Sequence, residues 1–244
     1  MRALALAALD LVFPAVCPSC ASPLGAGRRD PLCGACFTSI VRIMPPICAR
    51  CGLPLPALPS HRAGAHSRCH TCLAAPPAYD YARGAGIYAG PLREALHALK
   101  FRGKRAIARP LAALMLEQRA VTFAPDIDAL VPVPLARNRL RERGFNQSEL
   151  IAERLAAELG IPVRRRWLIR VRETSPQSDL NLAQRGANVH GAFAAPTSVA
   201  GSHVVIIDDV LTTGATAHAC AHALRAAGAS QIGVATVARV AGAW

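Results

Sequence analysis

The chain has 244 residues, enough for one large domain or one domain plus a small module at about 150 residues per domain. Hydrophobic residues make up 52% and charged residues 18%, a globular composition that excludes bulk disorder. No run of apolar residues is long enough for a transmembrane helix, so no membrane insertion is expected. The formal charge is +13, and Lys100 and Lys104 are the only lysines. The excess of arginine, with abundant alanine, fits GC-rich coding, so charge alone selects no partner.

The N-terminal run Ala3 to Val16 after Arg2 imitates a secretory signal. Asp10 interrupts it, and Pro14 and Val16 stand where a cleavage site needs small residues. Leu4, Leu6, Leu9, Leu11, Val12 and Phe13 read instead as a short helix packing on the cysteine-rich segment beyond it.

Eight of the nine cysteines form four Cys-x-x-Cys pairs: Cys17/Cys20, Cys33/Cys36, Cys48/Cys51 and Cys69/Cys72. A two-residue gap aims two sulfurs at one tetrahedral ion, at about 2.3 Å each for zinc. The regular 2+2 repeat favours two structural Zn²⁺ ions over disulfides. The simplest pairing is sequential, Cys17, Cys20, Cys33 and Cys36 on one ion and Cys48, Cys51, Cys69 and Cys72 on the other. A cross-braced pairing stays open. His61, His66 and His70 read as loop residues. Two tetrathiolate sites lower the net charge from +13 to about +9. Reduced thiolates place the protein in a reducing, cytoplasmic compartment.

Residues 53–68, rich in Pro, Gly, His and Ser, form a loop inside the second ribbon. Pro76-Pro77 ends the cysteine region, dividing the chain into residues 1–76 and 77–244. Beyond it strand and helix patterns alternate, the signature of an α/β fold with a parallel sheet flanked by helices. Tyr81 to Tyr88 reads as an edge strand, Pro91 to Leu99 and Ile107 to Arg119 as helices, and Ala129 to Val133 as a strand. Asn146 opens a helix with apolar face Leu150, Ile151, Leu155 and Leu159, stopped by Gly160 and Pro162. Trp167 to Val171 reads as a further strand, and residues 173–190 are polar.

Val204 to Ile207 is an apolar run of the kind found in buried parallel strands. Asp208 and Asp209 mark its end, then Thr212, Thr213 and Gly214 make a turn into an Ala-rich helix ending near Ala227. Gln231 to Val237 is the next strand. Ligands of open α/β sheets bind at the carboxyl ends of strands. A tight turn at a helix N-terminus offers converging N–H donors to a phosphate. The carboxylates would repel a phosphate, and suit ribose hydroxyls or Mg²⁺. Together the two halves match a sugar phosphate. His218 and His222 read as helix-surface residues, and Cys220 as buried packing.

Val204 to Thr216 resembles the phosphoribosyl pyrophosphate (PRPP) motif of type I phosphoribosyltransferases. The whole chain resembles the ComF family of late-competence proteins. The matching residues are the four cysteine pairs, Leu99-Lys100-Phe101, Val131 to Pro134, Arg143 to Gln147, Thr174-x-x-Gln177, Arg185-x-x-Asn188 and the Asp-Asp motif. The resemblance implies a double zinc ribbon on a PRPP-binding domain. It places Asp208 and Asp209 on the ribose hydroxyls. Val210, Leu211, Thr212, Thr213, Gly214, Ala215 and Thr216 continue the motif, Leu211 to Thr216 being the phosphate cradle. Mg²⁺ accompanies PRPP. Pyrophosphate candidates are Lys100, Pro134, Arg143, Gln177 and Arg185, the last two on a flexible hood at 173–190. Arg102, Arg137, Arg139 and Arg141 add counter-charge. No general base is identifiable, so the acceptor is open, as is the choice between transfer and PRPP sensing. The family name also implies DNA uptake, with single-stranded DNA and a competence helicase as partners. An aromatic content of 5% argues against an extensive base-stacking platform.

Overall fold

Val204 to Ile207 lie at the centre of the sheet, each fully buried. The computed structural model describes residues 15–25, 31–56, 67–123, 126–172, 189 and 191–241. The expected N-terminal helix lies outside them. The helices are α1 (Gly34–Thr38), α2 (His70–Ala74), α3 (Gly90–Phe101), α4 (Ala108–Leu116), α5 (Arg119–Thr122), α6 (Arg137–Arg143), α7 (Gln147–Leu159) and α8 (Ala215–Ala226). The strands are β1 (Tyr81–Ile87), β2 (Ala129–Pro132), β3 (Ile169–Arg170), β4 (Phe193–Ala194), β5 (His203–Leu211) and β6 (Gln231–Arg239). Four strands form a parallel sheet in the order β1-β6-β5-β2, and β3 and β4 form a separate antiparallel pair.

Alternation along β5 divides the core between the two faces of the sheet. Val205 and Ile207 join Leu92, Leu96 and Leu99 of α3, Leu111 and Leu114 of α4, and Ile151 and Leu155 of α7. Val204 and Ile206 join Leu224 and Cys220 of α8 on the other face. Spacings of four and three put Leu92, Leu96 and Leu99 on one stripe of α3. Each such buried side chain contributes about 1.5–3 kcal/mol.

Several local readings change. β5 runs through Asp208 and Asp209 to Leu211, because it pairs with β6 as far as Leu211 and Arg239. The helix expected over 107–119 is broken in two. Pro110 fits only the first turn of α4, and Gln118 fixes a turn by donating from Nε2 to the carbonyls of Ile43 and Ala85, at 2.8 and 3.1 Å. The expected strand 167–171 shrinks to β3, whose partner is β4 rather than the main sheet. The Arg-rich segment after β2 forms α6, which buries none of its side chains and so left no apolar period to read. At α7 the Asn146 side chain accepts from the Ser148 N–H at 3.0 Å, and Gly160 ends the helix at φ 72°.

Both cysteine clusters pack into these cores. Cys17 and Cys36 lie with the α3 side, and Cys48, Cys51, Cys69 and Cys72 with the α8 side. Among the described residues no helix is long and apolar enough to cross a membrane.

Candidate functional site

β5 delivers Asp208 and Asp209 to the carboxyl edge of the sheet, and the chain then turns through 212–214 into α8. Gly214 caps α8 at φ 82°, a left-handed conformation that glycine adopts without penalty. The Thr213 hydroxyl accepts from the Ala215 N–H at 3.3 Å, which fixes the turn. A cavity of about 320 Å³ opens over this edge, lined by Asp208, Asp209, Val210, Leu211, Thr212, Gly214, Ala215 and Thr216. Lys100, Val133, Leu135, Gln147 and Ser148 complete its wall.

The two carboxylates are held differently. Asp209 is buried and pairs with Lys100, from the last turn of α3. Asp208 accepts from the Ser148 hydroxyl at 3.0 Å and from the Asp209 N–H at 2.9 Å. Burial, then the charge of Asp209, pushes the Asp208 carboxyl up to about 7. Burial also opposes the charge on Asp209, but the charge and hydrogen bond of Lys100, with further hydrogen bonds from Asp208 and the backbone, together hold that carboxyl below its usual range. The same pairing raises Lys100 against its own desolvation. The edge therefore carries one fixed anion and one carboxylate that titrates near neutrality.

The cysteines gather into two groups of four, Cys17, Cys20, Cys33 and Cys36, and Cys48, Cys51, Cys69 and Cys72. Within each group the sulfurs lie within 4.8 Å of one another. That is the sequential pairing, and among the described residues no histidine belongs to either group. The N–H groups of Cys51 and Cys69 point at Cys48 Sγ, at 3.5 and 3.3 Å. Against the effect of burial, these amides hold the Cys48 thiol down at about 7. Four sulfurs with amide support fit a structural zinc ion at each site.

Residues 116–244 match the phosphoribosyl transferase domain family, and residues 8–73 match the double zinc ribbon domain. The chain is 36% identical over 230 residues to DNA utilization protein YhgH of Salmonella typhi, covering 92% of this chain and 96% of that one. It is 31% identical over 218 residues to competence protein F of Haemophilus influenzae, covering 86% and 91%. It is 28% identical over 201 residues to competence protein ComFC of Bacillus subtilis, covering 80% and 78%. The chain belongs to the ComF family.

In this ComF-family chain the expected site residues divide into groups. Lys100 and the Asp208–Thr216 segment meet at one cavity, except that Thr213 faces the neighbouring one. Arg143 lines an adjoining hollow of about 260 Å³ with Lys100, Phe101, Gly103, Arg139 and Glu142, and donates to Gln147 Oε1 at 2.6 Å. Pro134 is outside the cavity wall, while Val133 and Leu135 on either side line it. Gln177 and Arg185 lie outside the described residues, as do His61 and His66. His218 is on the exposed face of α8, where its Nδ1 accepts from the Ala78 N–H at 3.1 Å. Cys220 is fully buried, which pushes its thiol well up.

Sequence reasoning misses Ser148. It reads only as part of a helix cap, yet its hydroxyl points to Asp208 rather than to its own helix. The adjacent Arg143 to Gln147 motif is the available signal, since α7 begins there.

Proposed function

We propose that the cavity at the end of β5 binds PRPP, and that this ComF-family protein transfers its phosphoribosyl group in the service of DNA uptake and use. The observation that carries this reading is one cavity holding both halves of a sugar-phosphate site. The Gly214 turn opens α8 beside two carboxylates that are held differently, Asp209 by Lys100 and Asp208 by Ser148. The N–H groups of the turn and the Thr212 and Thr216 hydroxyls donate to the 5-phosphate. Asp209, and Asp208 once ionised, accept from the ribose hydroxyls. Lys100, Arg143 and Arg139 supply positive charge at the pyrophosphate end. Mg²⁺ bound with PRPP would neutralise pyrophosphate charge. Bond breaking at the anomeric carbon builds positive charge on the ribose, and the carboxylates stabilise it while the turn holds the phosphate in place.

The test is calorimetry of Mg²⁺-PRPP on the native protein and on Asp208→Asn/Asp209→Asn. The expected result is saturable binding to the native chain, lost in the double variant. No binding to the zinc-loaded native chain would remove the reading. A binding protein without turnover would bind PRPP yet release no pyrophosphate with any acceptor base or amine.

A second reading, nucleic-acid binding, draws on a different observation. Helix α6 carries Arg137, Arg139, Arg141 and Arg143 beside Phe101, which is 65% exposed. Single-stranded DNA should bind there with an affinity that falls steeply with salt. Unchanged mobility of a labelled oligonucleotide at low salt would refute it.

A further inference from the structure

The second cysteine cluster is built into the sheet that carries the proposed phosphate site. Gly52, at φ 67°, sits so close to β1 that a Cβ there would stand 2.4 Å from the Ala82 carbonyl oxygen. The Ala82 N–H donates to the Arg50 carbonyl at 2.7 Å, and the Arg83 guanidinium to the Ala49 carbonyl at 3.1 Å. The turn between Cys48 and Cys51 is thus fastened to the edge of the sheet.

Two residues link that cluster to the end of β5 and the turn after it, Tyr79 through its side chain and Arg239 through its side chain on the cluster and its backbone on β5. Tyr79 is 3% exposed and packs in the same buried group as the four cysteines and Leu211. Its hydroxyl lies 3.3 Å from the place a Cβ on Gly214 would take. Arg239, at the end of β6, is buried and donates from Nη2 to Cys51 Sγ at 3.4 Å. Its backbone is in register with Leu211, and the next residue, Val240, donates its N–H to the Leu211 carbonyl at 3.0 Å. Burying a guanidinium is costly without an anion beside it, and a tetrathiolate around Zn²⁺ is such an anion. The first cluster is placed otherwise. Cys17 and Cys36 pack on the opposite core, and Cys20 is exposed.

We propose that the second metal centre, and not the first, sets the shape of the Leu211–Thr216 turn, with Tyr79 and Arg239 as the positioning residues that carry its occupancy there. That the turn holds a phosphate rests on the proposed function. The link from metal to turn does not.

Hydrogen exchange by mass spectrometry, on the full chain loaded with zinc, tests the link. In Cys48→Ser/Cys51→Ser, amides of 211–217 should exchange about tenfold faster or more, while Cys17→Ser/Cys20→Ser leaves them near native. If the first of these variants loses its whole fold, Tyr79→Phe and Arg239→Met decide. Each should keep both zinc ions and still show faster exchange at 211–217, and Arg239→Lys should restore part of the protection.

Coupling is reciprocal, so saturating Mg²⁺-PRPP should tighten zinc binding at the second site about fivefold or more in the native chain, and less in Tyr79→Phe. Titration with a chromogenic chelator reads this. Equal exchange at the turn in the two cysteine variants overturns the proposal. So does native exchange at the turn in both Tyr79→Phe and Arg239→Met, or PRPP binding that leaves the second zinc unaffected. Failure of PRPP to bind, with the exchange differences intact, removes the proposed function and leaves the link standing.

Discussion

Lys100 and Asp209 form an ion pair between the end of α3 and the end of β5, with the Asp209 side chain 6% exposed. The pair closes the carboxyl edge of the sheet and lets two adjacent carboxylates exist there. Without Lys100, Asp209 would be a buried, unpaired charge beside a second acid.

Lys100→Met is therefore expected to cost about 3 kcal/mol, the low end for breaking a buried pair, since the lysine is partly exposed. For a chain of this size that lowers the melting temperature by about 2–4 °C per kcal/mol. Lys100→Met/Asp209→Asn should recover part of the loss, because the stranded charge is gone. Thermal melting of the three proteins checks this, and equal melting of Lys100→Met and native would refute it.

Asp208 gives the site a pH dependence with a definite sign. Its carboxyl sits at about 7 in the folded chain against 3.8 ordinarily, because burial and the charge of Asp209 oppose ionisation. Between those values the folded chain keeps a proton that the unfolded chain has released. This contribution is present at the acid end, is lost as pH rises towards about 7, and is level above that. Asp209, held below 3.8, acts in the opposite sense only at lower pH. Urea midpoints from about pH 4.5 to about 7.5 should show a downward component that Asp208→Asn removes. PRPP affinity should rise over the same window, since an ionised carboxylate is the stronger acceptor for a ribose hydroxyl.

Much of this architecture was legible in the sequence for physical reasons. Val204 to Ile207 are apolar on both faces, as a central parallel strand requires. The Cys-x-x-Cys pairs were legible because a thiol pair at that gap has few other uses. The sequential pairing was the simplest one to read and is the one the fold adopts, whereas excluding the cross-braced alternative depended on how the chain returns between Cys36 and Cys48. Helix α6 was hidden because its residues bury nothing, and the strand expected over 167–171 was legible in place but not in its length or in its pairing with β4, which lies far along the chain. The coupling of Tyr79 to Gly214 was equally hidden, since only the fold brings the ribbon against α8.

Ser148→Ala tests the residue that the sequence pattern hides. Its hydroxyl is the side-chain donor that the structure places on Asp208, at 3.0 Å, and the serine is 1% exposed. Removing a hydrogen bond to a charged group costs about 1.5–3 kcal/mol. The loss falls on the ionised form, so the Asp208 carboxyl should move further up. Stability at acid pH should change little, whereas PRPP affinity near neutrality should drop about tenfold or more. Calorimetry at two pH values separates this from a general packing defect, which would lower affinity equally at both.

The two zinc centres should differ in how readily they release their ions. The first has Cys20 exposed and Cys33 half-buried, whereas all four sulfurs of the second are buried. A chelator can reach the first ion without opening the core. To reach the second it must wait for the ribbon to lift off β1, breaking the Ala82 and Arg83 hydrogen bonds to that ribbon. Release of two ions per chain should therefore be biphasic. The fast phase should leave the parallel sheet folded, and Cys17→Ser/Cys20→Ser should abolish it. The slow phase should coincide with loss of tertiary structure in near-ultraviolet circular dichroism, because binding energy at a structural zinc site is folding energy. A single release phase, or a metal-free chain that keeps its tertiary signal, would show that the second centre is not integral to the sheet.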